Sequence, residues 1–323
     1  MLDQNDLLSA CKFDGKGGSS IIAPEDLSGI KTARNTWIHL QLESEPAQEW
    51  LREESGLPPI AIDALFSAET RPRCSVIDGG LLVNLRGVNL NPGEEPEDMV
   101  SIRIYLDKDR IFSVRKRKLL SVQDIRDELE VGKGPCNSIE FLLDITDRLL
   151  GRVGPIIADL DDGIDNLEEQ VISNTNASLR GKLWQLRKQA ISLRRYISPQ
   201  RDALAKLVTN QIDWIDNHAN QRLRENADRI TRYVEDLDSV RERAAIIQDE
   251  LSTRLSEQMN RNMYLLSIIA GIFLPLSLIT GVLGINVGGI PGDKWPWAFT
   301  VVTIGIIFAG VIEYFLFRRL KWI

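Results

Sequence analysis

Hydrophobic positions along this chain follow three rhythms, and each predicts a different kind of element. Through residues 1–150 the apolar residues come in short, β-branched or alternating runs: Thr36–Leu42, Cys74–Ile77, Leu81–Leu90, Val100–Leu106 and Ile111–Arg115. Runs of that length bounded by turn residues predict strands. Asp78-Gly79-Gly80 and Asp107-Lys108-Asp109 predict tight turns between neighbouring pairs of them. Pro46–Ser55, Ile60–Glu69 and Ser121–Glu130 predict helices, so the first region is an α/β domain with a largely antiparallel sheet.

From Pro155 onward the period is helical. No Pro or Gly interrupts the 71 residues from Gln200 to Ala270. Asp213–Asn220, rich in Asp and Asn, predicts a turn ending in a helix N-cap. A long helix then starts near Asn217–Asn220 and runs unbroken to about Leu283. Roughly 65 residues at 1.5 Å each span close to 100 Å, about a third of it the thickness of a bilayer. Leu223, Ala227, Ile230, Val234, Leu237 and Val240 continue through Ala244, Ile247, Leu251 and Leu255 as a seam spaced by three and four, which needs partner helices.

The third rhythm is unbroken hydrophobicity. Met263–Leu283 is 21 residues without a charge, and Trp297–Phe317 carries only Glu313. About 20 apolar residues cross a bilayer core, and the Trp295, Trp297, Tyr314 and Trp322 rings fit its interfaces. Arg254 and Arg261 precede the first span, and Arg318, Arg319 and Lys321 follow the second. The loop between holds only Asp293 and Lys294, so the positive-inside rule places both termini in the cytoplasm and Val287–Trp295 outside. The N-terminal residues lack a basic stretch followed by an apolar run, which predicts no signal peptide. The expected organisation is a cytoplasmic α/β domain (1–150), a helical hairpin (151–216), a stalk helix (217–262), a first span (263–286), an external loop (287–296), a second span (297–317) and a basic tail (318–323).

Charge narrows the class. A net charge of −7 disfavours nucleic acid as a partner, because such binding rests on neutralising phosphate. Cys11, Cys74 and Cys136 stand too far apart for a metal-ligand pair and read as free thiols. His39 and His218 are the only histidines, so the membrane region holds neither His nor Cys and no conventional zinc site. No enzyme motif is present, and the chain is expected not to be an enzyme. Gly15-Lys16-Gly17-Gly18-Ser19 and Gly132-Lys133-Gly134 lack phosphate-loop spacing and predict turns. Val153–Leu179 carries six acidic and no basic residues, whereas Arg180–Arg201 carries seven basic and no acidic ones. That contrast suits an antiparallel hairpin whose arms complement each other, or an acidic arm that attracts divalent cations.

The small and polar residues of the first span fall on one stripe. Asn260, Met263, Ser267, Gly271 or Ala270, Leu274, Ser277, Gly281 and Gly284 recur every three or four residues, and Asp249, Thr253 and Ser256 extend the stripe into the stalk. Small residues on one face pack helices closely, and they can also line a path for solute. One helix cannot enclose a pore, so the second use requires several copies around an axis. Without a carboxylate between Asn260 and Asn286, a divalent cation there keeps most of its water. Gly284-Ile285-Asn286 closes the stripe, where the Asn side chain and exposed carbonyls can meet a hydrated ion at the outer mouth.

Two late spans, a long stalk entering the first, Gly284-Ile285-Asn286 at its outer end and a basic tail together resemble the CorA superfamily of divalent cation transporters over essentially the whole chain. The loop Val287–Gly292 is similar to the zinc-transporting ZntB-type branch, since the acidic loop usual in magnesium transporters is missing. The resemblance implies a funnel-shaped homopentamer in the bacterial inner membrane, with the first span lining the pore. It makes Gly284, Ile285 and Asn286 the selectivity signature, places Asn260, Met263 and Leu274 at constrictions, and puts Asp249 at a cytoplasmic metal or gating position. The implied cargo is Zn²⁺, with Cd²⁺, Ni²⁺ and Co²⁺ also accepted, carried as substrate with no resident cofactor and with protons as a coupling partner. Glu313, the only charged side chain in either span, reads as an anchor near the inner headgroups. A Mg²⁺ or Co²⁺ channel of the same superfamily and a membrane-anchored scaffold or sensor are the competing readings.

Overall fold

A computed structural model describes residues 6–173, 178–210, 212–284 and 295–319. The chain divides into two compact units, Met1–Gln248 and Asp249–Ile323.

The first unit is built on a seven-stranded sheet in the order β2-β1-β3-β7-β6-β5-β4. The strands are β1 (Leu7–Phe13), β2 (Ser19–Ile21), β3 (Thr36–Gln41), β4 (Arg73–Ile77), β5 (Gly80–Gly87), β6 (Val100–Leu106) and β7 (Arg110–Arg115). All neighbours are antiparallel except the central β3–β7 pair, in which Thr36 lies beside Arg110 and Gln41 beside Arg115. The sequence pattern misses β1 and β2. Leu7–Phe13 mixes Ser, Ala, Cys and Lys and has no β-branched residue, and Ser19–Ile21 is too short to show a period. The two glycine-rich segments are turns that meet: Gly134 N–H donates to the Gly17 carbonyl at 2.8 Å, and Asp14 accepts from the Lys16 and Gly18 amides.

Both faces of the sheet are covered. On one, a 3-10 helix (Pro24–Thr32) with α1 (Glu45–Glu54) and α2 (Pro59–Phe66) encloses a core that includes Leu27, Leu51, Leu65, Leu82 and Phe112. Ser44 caps α1 by accepting from Ala47 N–H at 3.0 Å, and Pro46 sits in the first turn, where its missing donor costs nothing. On the other face lie α4 (Ser138–Ser173) and α5 (Leu179–Thr209), with α3 (Leu120–Glu130) tied to α4 through Arg148–Glu128 and Arg152–Asp124. The helical pattern was expected from Pro155, but α4 starts at Ser138 and carries Pro155 inside it. A proline removes one backbone hydrogen bond, and the burial of Leu149, Val153 and Ile157 around it holds the helix together.

The long helix α6 spans Asn217–Leu283 without interruption, as the sequence predicts, and α7 spans Ala298–Arg319. Within the first unit the α6 seam is covered: Leu223, Ile230, Leu237, Val240 and Ala244 are buried, and Ala227 is half-buried. The Trp214 indole donates to the Gly79 carbonyl at 3.0 Å, fastening the α5–α6 connection to the β4–β5 turn.

Candidate ion-conduction site

The second unit supplies the two apolar helices, both long enough to cross a membrane. They pack on each other through identifiable faces. A Cβ on Gly271 of α6 would stand 2.9 Å from the Phe317 ring of α7, and one on Gly310 would stand 3.7 Å from Leu276. The partly covered residues of α7, including Val302, Ile306, Gly310, Glu313 and Phe317, follow helical spacing and form the face toward α6. On α6 the matching positions are Ile268, Gly271, Ile272 and Leu276.

Most of the expected pore stripe lies off that face, as do many other side chains of the span, and Ala270, like Gly271, is partly covered. Asn260, Met263, Ser267, Leu274, Ser277 and Gly281 are all exposed, on the side of α6 turned away from α7. Gly271 leaves the stripe: its missing side chain makes room for Phe317, which is close helix packing. Pro275 lies inside α6 and cannot donate to the Gly271 carbonyl, one turn before it, so one polar backbone group is freed in an otherwise apolar stretch. Gly284 ends the helix, its N–H donating to the Thr280 carbonyl at 2.9 Å. Ile285 and Asn286 lie outside the described residues, as does the loop that follows.

Glu313 differs from the expected interfacial anchor. It stands on the α7 face packed toward α6, between Gly310 and Phe317, and its Oε2 is enclosed without a hydrogen-bond partner among the described residues. Sequence spacing could have placed it there, since 310, 313 and 317 share a helix face. Asp249 is exposed, and its carbonyl accepts from the Thr253 hydroxyl at 3.0 Å. Among the described residues no group of three His, Cys, Asp or Glu side chains is arranged to hold a metal.

Among the described residues the ion pairs that the two charged arms make with other helices run to α6 and not from arm to arm. Acidic α4 turns to α6: Arg243 takes Asp161 at 3.0 Å, Glu168 at 2.9 Å and also Asp165, and these carboxylates hold its guanidinium more firmly protonated than usual. Basic α5 turns to α6 as well, with Arg194 on Asp238 at 2.5 Å, and that hydrogen bond lowers the Asp238 pKa below the usual carboxylate range. Among the described residues, then, α6 mediates the complementarity expected between the arms of the hairpin. Beside Arg243's partners a cavity of about 290 Å³ lies between α4 and α6, lined by Gly154, Asp161, Tyr233, Asp236 and Ser239 among others. Burial raises the Asp236 pKa, and the neighbouring Asp161 charge adds to that.

Comparison with known proteins gives a family for this arrangement of an α/β unit, a 67-residue helix and a second apolar helix. The family model described as CorA-like Mg2+ transporter protein matches residues 32–319. The chain belongs to the CorA family. Divalent cation transport is therefore its class of activity. It is 39% identical over 327 residues to the divalent cation transporter CmaX of Pseudomonas aeruginosa, covering 99% of this chain and 98% of that protein. The structure of full-length CmaX superposes on this CorA-family chain with a TM-score of 0.87, covering 99% of both. The zinc transport protein ZntB of Yersinia pestis is 34% identical over 322 residues, covering 100% of this chain and 98% of that one.

Proposed function

We propose that this CorA-family chain moves Zn²⁺, and with it Cd²⁺, Ni²⁺ and Co²⁺, through a homopentameric pore lined by α6. The observation that carries the reading is the exposed stripe Asn260, Met263, Ser267, Leu274, Ser277 and Gly281, which its own second span leaves uncovered. In a pentamer that face turns to the axis. It offers hydroxyl, amide and thioether groups and no carboxylate, so the cation passes with most of its hydration shell. Gly284, Ile285 and Asn286 form the selective outer mouth. The chain works without enzymatic chemistry, in the bacterial inner membrane, with both termini cytoplasmic, and the acidic residues of α4 outside the Arg243 cluster attract divalent cations. The 34% identity over the full length to a protein named ZntB supports zinc, and the similarity to CmaX supports a broad divalent range.

The test is flux into liposomes holding the purified protein and a zinc-sensitive dye, with and without an inward proton gradient. Zinc entry is expected, and Asn286→Ala is expected to abolish it while the oligomer still assembles. Entry that rises with the gradient makes the transport proton-coupled uptake. Strict exclusion of cadmium, nickel and cobalt would refute passage by hydrated size. Magnesium entry without zinc entry would replace the cargo, and no entry of any ion would overturn the transport reading in favour of a scaffold.

A further inference from the structure

One end of the sheet carries a group of cationic side chains that the conduction path does not use. Arg73 on β4, Asn84 on β5 and Arg103 on β6 are direct cross-strand partners. Directly opposed residues on antiparallel strands project from one face with Cβ atoms about 5 Å apart, so the three form a row. Arg103 and Asn84 are each 1% exposed, whereas Arg73 is half-buried and forms the open side of the row.

Arg86, two residues along β5 from Asn84, is already fully engaged. Its guanidinium donates to the Thr70 carbonyl and hydroxyl and to the Met99 carbonyl, and it lies 3.9 Å over the Tyr196 ring. Arg103 spends only Nη2, on the Ser67 carbonyl at 2.8 Å. Its Nε and Nη1, the Arg73 Nε, and both ends of the Asn84 amide are enclosed without a partner among the described residues. No carboxylate among the described residues answers the charge either. The acidic side chain whose field reaches Arg86, Asp98, is held by Arg117 at 2.8 Å. Burial lowers the Arg103 pKa, and the Arg86 and Arg73 charges lower it further.

Buried donors are almost always satisfied, and an uncompensated buried guanidinium costs more than an ordinary orphan. Water can satisfy the donors and leaves the charge. A bare halide answers the charge and leaves the Asn84 carbonyl oxygen unpaired. A protonated oxyanion does both: its oxygens accept from Arg73, Arg103 and the Asn84 NH₂, and its one hydroxyl donates to Asn84 Oδ1. We propose that Arg73, Asn84 and Arg103 form a binding site for a small protonated oxyanion of the hydrogen phosphate or bicarbonate class, entered past the Arg73 side chain at the α2–β4 connection. The site joins three strands and the Ser67 carbonyl around one anion, so occupancy stabilises the cytoplasmic unit whatever ion the pore carries.

The experiment uses the full-length protein in detergent at constant ionic strength. Equilibrium binding of radiolabelled phosphate and of radiolabelled bicarbonate is measured, together with thermal unfolding followed by tryptophan fluorescence. Saturable binding of one of them at one anion per protomer is expected, with a melting temperature that rises with its concentration. Arg103→Met and Arg73→Gln are each expected to weaken that binding about tenfold or more and to remove the thermal shift. Arg73→Gln changes a half-buried side chain, so it keeps the test open where Arg103→Met fails to fold. Absence of saturable binding, or equal binding by wild type and Arg73→Gln, overturns the proposal. Chloride competing as well as the oxyanions overturns the assigned class.

Discussion

Acidification should loosen the first unit through one buried imidazole. His39 on β3 is 1% exposed, with Nδ1 2.8 Å from the Ser113 hydroxyl of β7. The same hydroxyl accepts from the Trp37 indole at 2.7 Å, and with one hydrogen and two lone pairs it can meet Nδ1 of either neutral tautomer. Nε2 has no partner among the described residues, so the doubly protonated ring would bury an unpaired Nε2–H whichever nitrogen carries the proton of the neutral ring. Burial first, then the Arg115 and Arg126 charges, press the pKa down from 6.5 to about 3. Between those values the unfolded chain holds a proton that the folded one does not, so stability is complete above pH 6.5 and falls as pH falls through the window. At about 1.36 kcal/mol per unit, pH 5 removes roughly 2 kcal/mol, or about 4–8 °C in melting temperature for a unit of this size. The assay is tryptophan-detected melting of the wild type and of His39→Leu from pH 7.5 to 4.5, compared as slopes so that other titrating groups cancel. The wild type should lose the extra ~4–8 °C by about pH 5. Parallel curves would refute the buried neutral imidazole.

Three further outcomes follow from particular contacts. Gly271→Leu drives a side chain into the Phe317 ring and is expected to destabilise the α6–α7 pair by about 1–3 kcal/mol, read as a lower melting temperature in detergent. Glu313→Leu removes an enclosed oxygen with no partner and is expected to raise that temperature, by about 1–3 kcal/mol of relieved desolvation; a fall would mean that the carboxyl is satisfied in the assembled protein. Arg243→Met leaves Asp161, Asp165 and Glu168 unneutralised, but all three are more than a third exposed, so the expected loss is only about 1 kcal/mol, and it should shrink as salt is added.

The membrane half was legible because its signals are local. Length, missing charge and interfacial aromatics define a span without knowledge of what packs on it, and the 3.6 period set α6 from Asn217 to Leu283. The same stripe could not separate neighbour from pore, because both favour small residues; Gly271 joined the helix pair only once Phe317 was seen against it. In the sheet, alternation failed in the opposite direction. Val100, Ile102, Ile104 and Leu106 mark one buried face of β6, which leaves Ser101, Arg103 and Tyr105 looking like a wet one. The α1–α2 layer covers that face too, so Arg103 ends among the most enclosed side chains in the chain. The charge contrast between α4 and α5 was visible, whereas its resolution through Arg243 and Asp238 depends on a third helix distant in sequence.

The parallel pairing of β3 with β7 also fixes an order of events during synthesis. Gln41 must wait for Arg115, more than 70 residues later, before the middle of the sheet can zip. At about 5–20 residues per second the ribosome leaves β3 with an open edge for roughly 4–15 s. In that interval Trp37, Ile38 and Leu40 have no β7 to cover them, while β4, β5 and β6 can already pair as a local meander. The nascent chain is thus most exposed to aggregation and to chaperones at its N-terminal third, well before either apolar helix reaches the translocon.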